Sequence, residues 1–248
     1  MNITWEISEI DILRIKKVID QNDNAFLKRR WKRNVEKEHV VIDQNMIIRV
    51  MLLCLLTSQQ KSGPNTVVGK FLRLNPFPIS IESLNQTTDM RLYIRDILKQ
   101  NGLTRMIDRI TGFFVDNIVI IEDDYWKIIP ELYELKGNQT KEAEREFSDY
   151  LNDRLSGFGP KQSRNFLQTL GLTKYEIPID SRVVKWLNNN EFPFVLNSSL
   201  LNDKGYYHLV SDGLQLLCAK ASVYPCILDA AIFSSFDQGE WNEENTIF

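Results

Sequence analysis

Apolar residues recur at three- and four-residue spacing along almost the whole chain, and this period constrains the fold more than any other feature. Ile47, Val50, Met51, Cys54 and Leu55 share one side of a helix, as do Ile107, Ile110, Phe113 and Phe114. Breakers interrupt the pattern at Ser62-Gly63-Pro64-Asn65, Asn75-Pro76-Phe77-Pro78, Asn101-Gly102, Gly137-Asn138, Gly157-Phe158-Gly159-Pro160, Gly171 and Pro178. They cut the chain into pieces of ordinary helix length. The expectation is an all-α fold, or nearly so, of about ten helices of ~11 residues each. With 248 residues the chain can bury a core either as one large domain or as two small ones around a shared cleft.

Composition narrows the function classes. A hydrophobic fraction of 43% and a charged fraction of 25% exclude disordered, collagen-like and disulfide-rich chains. The net charge of -3 argues against non-specific coating of nucleic acid. The charges are clustered, however: Lys28-Arg29-Arg30-Trp31-Lys32-Arg33 is basic, while acids gather at Glu122-Asp123-Asp124 and around Glu240, Glu243 and Glu244. The basic run reads equally as a solvated helix face or as a phosphate contact. Three cysteines, Cys54, Cys218 and Cys226, are an odd number that fits buried thiols in a reducing compartment. The longest apolar run, Val50 to Leu56, is too short for a bilayer, and the amino terminus lacks a signal-peptide layout, so a cytoplasmic protein is expected. His39 and His208 are the only histidines, and no CxxC or HExxH pattern occurs. Neither a catalytic zinc nor an iron-sulfur cluster is expected, which leaves amines, carboxylates and hydroxyls to carry any chemistry.

One stretch offers such groups. Glu142 to Leu155 reads as a charged amphipathic helix, and a short turn reverses the chain into a second helix, Lys161 to Leu170. Pro160 suits the first turn of that helix, and Gly157 and Gly159 permit a tight approach. Backbone N–H groups of Gly157, Phe158, Gly159 and Gln162 are then candidates to grip a phosphate without reading sequence. Lys161 stands in the first turn, where the helix dipole disfavours an ammonium ion; an apolar pocket would lower its pKa further and free it as a nucleophile. Asp180, 19 positions on, follows Ile177-Pro178-Ile179 and is placed to cap a helix from Ser181 to Leu187.

These segments resemble the helix-hairpin-helix Gly/Pro-Asp superfamily of DNA glycosylases, and within it the 8-oxoguanine DNA glycosylase branch. Gly157-Phe158-Gly159-Pro160-Lys161 resembles the hairpin with its catalytic lysine, and Ile177-Pro178-Ile179-Asp180-Ser181-Arg182-Val183 the segment with the essential aspartate. Cys54 to Gln60 resembles the helix end that fills the gap left by an extruded base, and Asn101 to Arg105 the step into the next helix. The resemblance implies two helical subdomains flanking a DNA-binding cleft. One spans 46–189 as a helical barrel with the hairpin at about 142–170; the other is formed by the chain ends, 1–45 and 190–248. It implies a bifunctional glycosylase and abasic-site lyase on double-stranded DNA, with 8-oxoguanine the leading substrate. Lys161 would form a Schiff base with the sugar and Asp180 would stabilise developing positive charge. Gln59 or Gln60 would enter the duplex, Arg182 would contact DNA, and Asp229 and Phe233 would line the base pocket. No cofactor is required. The carbonyls of Leu155 and Phe158 are implied ligands for a monovalent cation. The implied protein is a monomer, nucleoid-associated if prokaryotic.

The sequence also departs from the family. Arg182 stands where a histidine is common, the four-cysteine cluster loop of endonuclease III is absent, and the first 45 residues are too few for the sheet-containing amino-terminal domain of the eukaryotic enzymes. Two rival readings therefore stand beside the first: a glycosylase for another modified base, for example in foreign DNA, and a non-catalytic DNA-binding module that keeps only the hairpin.

Overall fold

The computed structural model describes residues 4–58, 60–236, 241–244 and 246, and within them the chain is helical with no strand. Thirteen α-helices form, three more than the breaker count suggests, because short helices at Ala25–Arg30, Val67–Leu72 and Ile81–Gln86 add to the long ones. Most starts are written in the sequence as side-chain caps. Ser8 and Asp11 form a capping box at α1 (Glu9–Asp20), Asn24 caps α2 (Ala25–Arg30), and Asp43 caps α3 (Gln44–Leu56).

Helix α3 buries nine residues distributed over all its faces, so it is the axis of a cluster rather than one of its walls. Around it pack α4 (Val67–Leu72), α5 (Ile81–Gln86), α6 (Met90–Gln100), α7 (Ile107–Asp123), α8 (Ile128–Gly137), α9 (Lys141–Arg154) and α10 (Pro160–Thr169). A second apolar cluster surrounds α13 (Pro225–Phe236), again buried on nearly every side, with α1, α2, α11 (Ser181–Asn189) and α12 (Lys204–Lys220). The two clusters divide between Leu172 and Ile177. Apolar packing therefore places α11 with the chain ends, through Val183, Val184 and Leu187, and not with residues 46–172.

Helices α9 and α10 pack against each other across a connection of residues 155–159. The second begins one residue earlier than its pattern suggests, because Pro160 itself occupies the first helical position after Gly159.

The basic run is solvated only in part. Lys28 is exposed and Arg29 bonds Glu38, but Arg30 and Arg33 turn inward, with relative exposures of 9% and 3%. Arg33 donates to the Thr169 carbonyl at 2.8 Å, and the neighbouring Asn34 donates to the Gln168 and Thr173 carbonyls at 3.0 and 2.7 Å. The run thus satisfies carbonyls at the end of α10, where positive charge and amide donors are favoured. Arg30 and Arg33, three positions apart, share the inner side where α2 runs on into a π-helical turn at Trp31–Val35, which linear charge counting does not register.

The segment between Leu172 and Asp180 is irregular and mostly buried, so its backbone polar groups need partners. Glu144, fully buried on α9, accepts the N–H groups of Lys174, Tyr175 and Glu176 at 2.8–2.9 Å. Glu176 in turn accepts from Arg164 Nε on α10 at 2.5 Å and from Arg145 Nε on α9 at 2.9 Å. Tyr207 of α12 completes the anchorage: its hydroxyl donates to the Ile177 carbonyl and accepts the Ile179 N–H, both at 2.7 Å. Burial opposes the charge on Glu176, but Arg164 and Arg145 outweigh it and hold the carboxyl below its ordinary value.

A group with a depressed folded pKa contributes stability that is present above the unfolded value, here about 4.5, and is lost as pH falls through the folded one. Glu176→Gln should cost about 3–5 kcal/mol near neutrality by stranding Arg164, and should flatten the acid side of the stability profile below that value. Urea denaturation at a series of pH values measures both; an unchanged midpoint would show that the network does not hold the segment.

Candidate functional site

Lys161 occupies the second position of α10, beyond Gly159 and Pro160, and the residue as a whole is half-buried. Burial pushes the amine below the ordinary lysine value, against the opposing pull of Asp180, Cys54 and Asp229. The Nζ donates to Gln162 Oε1 at 3.3 Å. Asp180 is the N-cap of α11: its Oδ1 accepts the Arg182 and Val183 N–H groups at 2.8 and 3.2 Å. Its Oδ2 lies 3.1 Å from Arg182 Nε. Lys161 and Asp180 face one another across a shared cavity wall without forming an ion pair within 4.0 Å.

Two adjacent spaces have this pair in their linings. The outer one is a groove of about 780 Å³ bounded by the loop after α3, the turn before α10, the start of α11 and residues 198–202. Its charged lining is Lys61, Arg109, Lys161 and Arg182 against the single carboxylate of Asp180, among the described residues. A chain with a net charge of -3 thus presents a locally cationic groove. The inner space, about 120 Å³, shares Thr57, Ser62, Lys161, Asp180 and Arg182 with the groove and reaches down to Asp229 and Phe233 on α13.

The wall and floor of the inner pocket combine aromatic faces with buried polar atoms. Phe26, Phe233 and Trp241 pack together with ring centroids 4.7–5.7 Å apart. The Arg182 guanidinium lies 4.0 Å over the Phe233 ring, so one side chain joins the aspartate to the aromatic wall. Asp229 is 7% exposed; its Oδ2 accepts from Gln168 Nε2 at 2.7 Å and lies 3.5 Å from Arg30 Nη1. Burial pushes the Asp229 carboxyl up to about 6, with Arg30 opposing the rise.

The remaining expected residues fall in different places. Gly157 and Gly159 line the groove, as does Gln162. The Phe158 side chain does not: it is 4% exposed and packs edge-on against Phe166, its N–H is taken by the Leu155 carbonyl, and the Gln162 N–H is taken by the Gly159 carbonyl at 3.0 Å, so neither of these two expected N–H donors is free for a phosphate. Gln60 lines the groove with its Nε2 donating to the Leu56 carbonyl at 3.3 Å, which makes it a helix-end partner of α3. Gln59 lies outside the described residues. The Leu155 carbonyl accepts the Phe158 N–H at 3.3 Å, and both side chains point into the core. His208 Nε2 sits 2.9 Å from Asp149, and His39 is exposed, both away from the groove lining. The three cysteines are free and buried.

Sequence reasoning missed Gln168, Asn165 and Arg30. The first two had a signal, since positions four and seven after Lys161 fall on the same face of a helix and so share its pocket. Arg30 had none, because it arrives from α2, far away in sequence.

No protein-family model, curated protein or solved structure matches this chain. No single helix among the described residues is long and apolar enough to cross a membrane.

Gly157 is required by its surroundings as well as its torsion. Its φ is +75°, and an added Cβ would meet Phe113 Cδ2 at 2.4 Å and Leu55 Cδ2 at 2.9 Å. Gly157→Ala should destabilise the protein by about 1–3 kcal/mol and displace the turn before Lys161. Thermal melting, and reactivity of Lys161 toward an amine-directed aldehyde, measure the two effects; wild-type values for both would show that the turn tolerates a side chain.

Proposed function

We propose that this protein is a DNA glycosylase with abasic-site lyase chemistry, acting on a damaged or modified base, with 8-oxoguanine the leading substrate. One observation carries the reading: Lys161 and Asp180 line both a cationic groove and the small aromatic-walled pocket beside it. A duplex backbone suits the groove, and the pocket, far below the ~300–1,000 Å³ of sites for drug-sized ligands, suits one planar ring everted from the stack. The α9–α10 pair then serves as the helix-hairpin-helix, its glycine turn offering backbone N–H groups to a phosphate.

In this mechanism Asp180 and the groove hold the everted nucleotide with its sugar carbon C1′ beside Lys161. Lys161, its charge disfavoured by burial, attacks C1′; the new C–N bond forms as the bond to the base breaks, and the base leaves with the electron pair. Asp180 stabilises the positive charge that develops on the sugar. Opening of the sugar ring gives the Schiff base, and loss of a C2′ proton expels the 3′ phosphate by β-elimination. Arg182, held between Asp180 and Phe233, is placed to exchange these contacts for a phosphate. The Leu155 and Phe158 carbonyls are the candidate ligands for a monovalent cation at the hairpin; the chemistry above does not run through it. The non-catalytic reading finds no use for a half-buried lysine beside an aspartate, since phosphate gripping needs neither.

Borohydride trapping on duplexes carrying 8-oxoguanine or an abasic site should yield a covalent adduct with wild type and none with Lys161→Gln. Absence of any adduct with wild type on both duplexes and on a panel of other lesions would favour a binding module. Asp180→Asn should bind DNA with similar affinity but release base at least about 100-fold more slowly. Because burial lowers the Lys161 pKa, the wild-type single-turnover rate should rise with pH and level off below the ordinary lysine value of 10.5. A rate that climbs all the way to that value would mean an exposed, unperturbed amine.

A further inference from the structure

Away from the groove, a cavity of about 310 Å³ opens where α9, α12 and the start of α13 meet the irregular segment before Asp180. Helix α13 separates the two sites: Pro225 at its first turn lines this cavity, while Phe236 at its far end lines the groove, a helical rise of about 16 Å away. No residue is shared with the groove or with the pocket beside it. Lys141, Tyr175, Gln215 and Tyr224 bring an ammonium, two phenol rings and an amide to the lining, and no carboxylate belongs to it.

Rings and ammonium groups are grouped closely. Tyr175 and Tyr224 meet edge to face with centroids 5.9 Å apart, and Trp31, 43% exposed, lies 6.1 Å from Tyr224. Lys174 Nζ is 5.0 and 5.3 Å from the Tyr175 and Tyr224 centroids, and Lys141 Nζ is 5.8 Å from that of Tyr175. Neither ammonium is ion-paired among the described residues. Gln215 is 5% exposed, and its Nε2 donates to Glu176 Oε1 at 2.8 Å and to Ser211 Oγ at 3.2 Å. The carboxylate partner fixes which end of the amide is nitrogen, so Oε1 is left as an acceptor to which no described residue donates. That oxygen keeps some accessible surface, in a residue that lines the cavity. An acceptor so enclosed favours a ligand that brings a donor.

We propose that this cavity binds a nucleotide unit, with the base against the tyrosine rings, the phosphate at Lys141 and Lys174, and a base N–H on Gln215 Oε1. Each feature narrows the ligand. Two unpaired ammonium groups without a lining carboxylate select an anion. The rings select a planar group, which they stack or meet edge-on. The acceptor selects a ring edge that carries an N–H or amino group, which every nucleobase has and a phosphorylated phenol lacks. The volume falls at the lower end of the ~300–1,000 Å³ range of small-molecule sites. A free nucleotide and one residue of a single strand present the same chemistry, and aromatic-cationic surfaces hold single strands without reading their order. The site does not depend on the glycosylase reading, because it uses none of that chemistry's residues.

Titration calorimetry on the full chain, with adenosine 5′-monophosphate as the reference probe, tests the site. Adenosine, ribose 5-phosphate and phenyl phosphate each lack one part of it. The monophosphate should bind with a Kd below about 1 mM, and each truncated probe should bind roughly tenfold or more weakly. Lys141→Met and Tyr224→Leu should each weaken the monophosphate by at least about fivefold, whereas Lys161→Gln, in the other site, should leave its affinity unchanged. Gln215→Met should narrow the gap between the monophosphate and phenyl phosphate. Thermal melts establish that each variant folds, and the solvent-exposed Lys141 carries the test should Gln215→Met unfold the protein. A single-stranded deoxyadenosine pentamer that binds at least about tenfold tighter than the monophosphate identifies a strand as the source; equal or weaker binding identifies the free nucleotide. No heat from either probe at about 5 mM, an affinity that Lys141→Met and Tyr224→Leu leave intact, or one that Lys161→Gln abolishes would overturn the assignment.

Discussion

The buried ion pair between Arg164 and Glu176 is the contact on which the site depends. Arg164 sits one helical turn after Lys161 on α10, and Glu176 sits four residues before Asp180, so a single 2.5 Å contact ties the start of α10 to the approach to α11. Neither charge could remain in an apolar interior alone; each is neutralised by the other and further bonded, Arg164 to the Pro160 carbonyl and Asp149, Glu176 to Arg145 and Gln215. Glu144 does the same for three backbone N–H groups of the intervening segment. An apolar core would pack these elements but would not dictate which residue of an irregular segment faces which turn of a helix. Directional bonds do.

The distribution of charge shows how an acidic chain can present a groove suited to a polyanion. Cations that line the groove come from four separate elements, while Arg30 and Arg33, the residues that looked most available from the sequence, are withdrawn into the protein. One withdrawn residue helps close the end of α10, and the other sits at the floor of the inner pocket. The field over the groove is therefore set by which residues reach it, and the net charge of the chain says little about it.

Pocket polarity follows from the same packing. Helix α13 is apolar on nearly every side, so burying the Asp229 carboxylate there is costly, and Gln168 and Arg30 offset part of that cost. Phe233, one turn further on, stays part of an aromatic group whose outer face carries Arg182. Asp229 and Phe233 thus place a buried carboxylate and an aromatic face one turn apart on a single helix, both lining the smaller pocket.

Much of this was legible in the sequence because it is local. Helical spacing fixed the all-α class; Asp180 was placed as a helix cap; Gly157, Gly159 and Pro160 marked the turn before Lys161; and the first-turn position of that lysine followed directly. Asp229 and Phe233 were also visible, as a carboxylate and a ring at helical spacing in an apolar run. What the tertiary structure alone decided was every relation between distant segments: that Arg30 and Arg33 point inward, that Phe158 is core, that α11 packs with the chain ends, and that Gln168 and Arg30 converge on Asp229. Turn chemistry and helical period are written within a few residues of where they act, whereas the direction in which a buried charge points depends on which partner the folded chain brings to it.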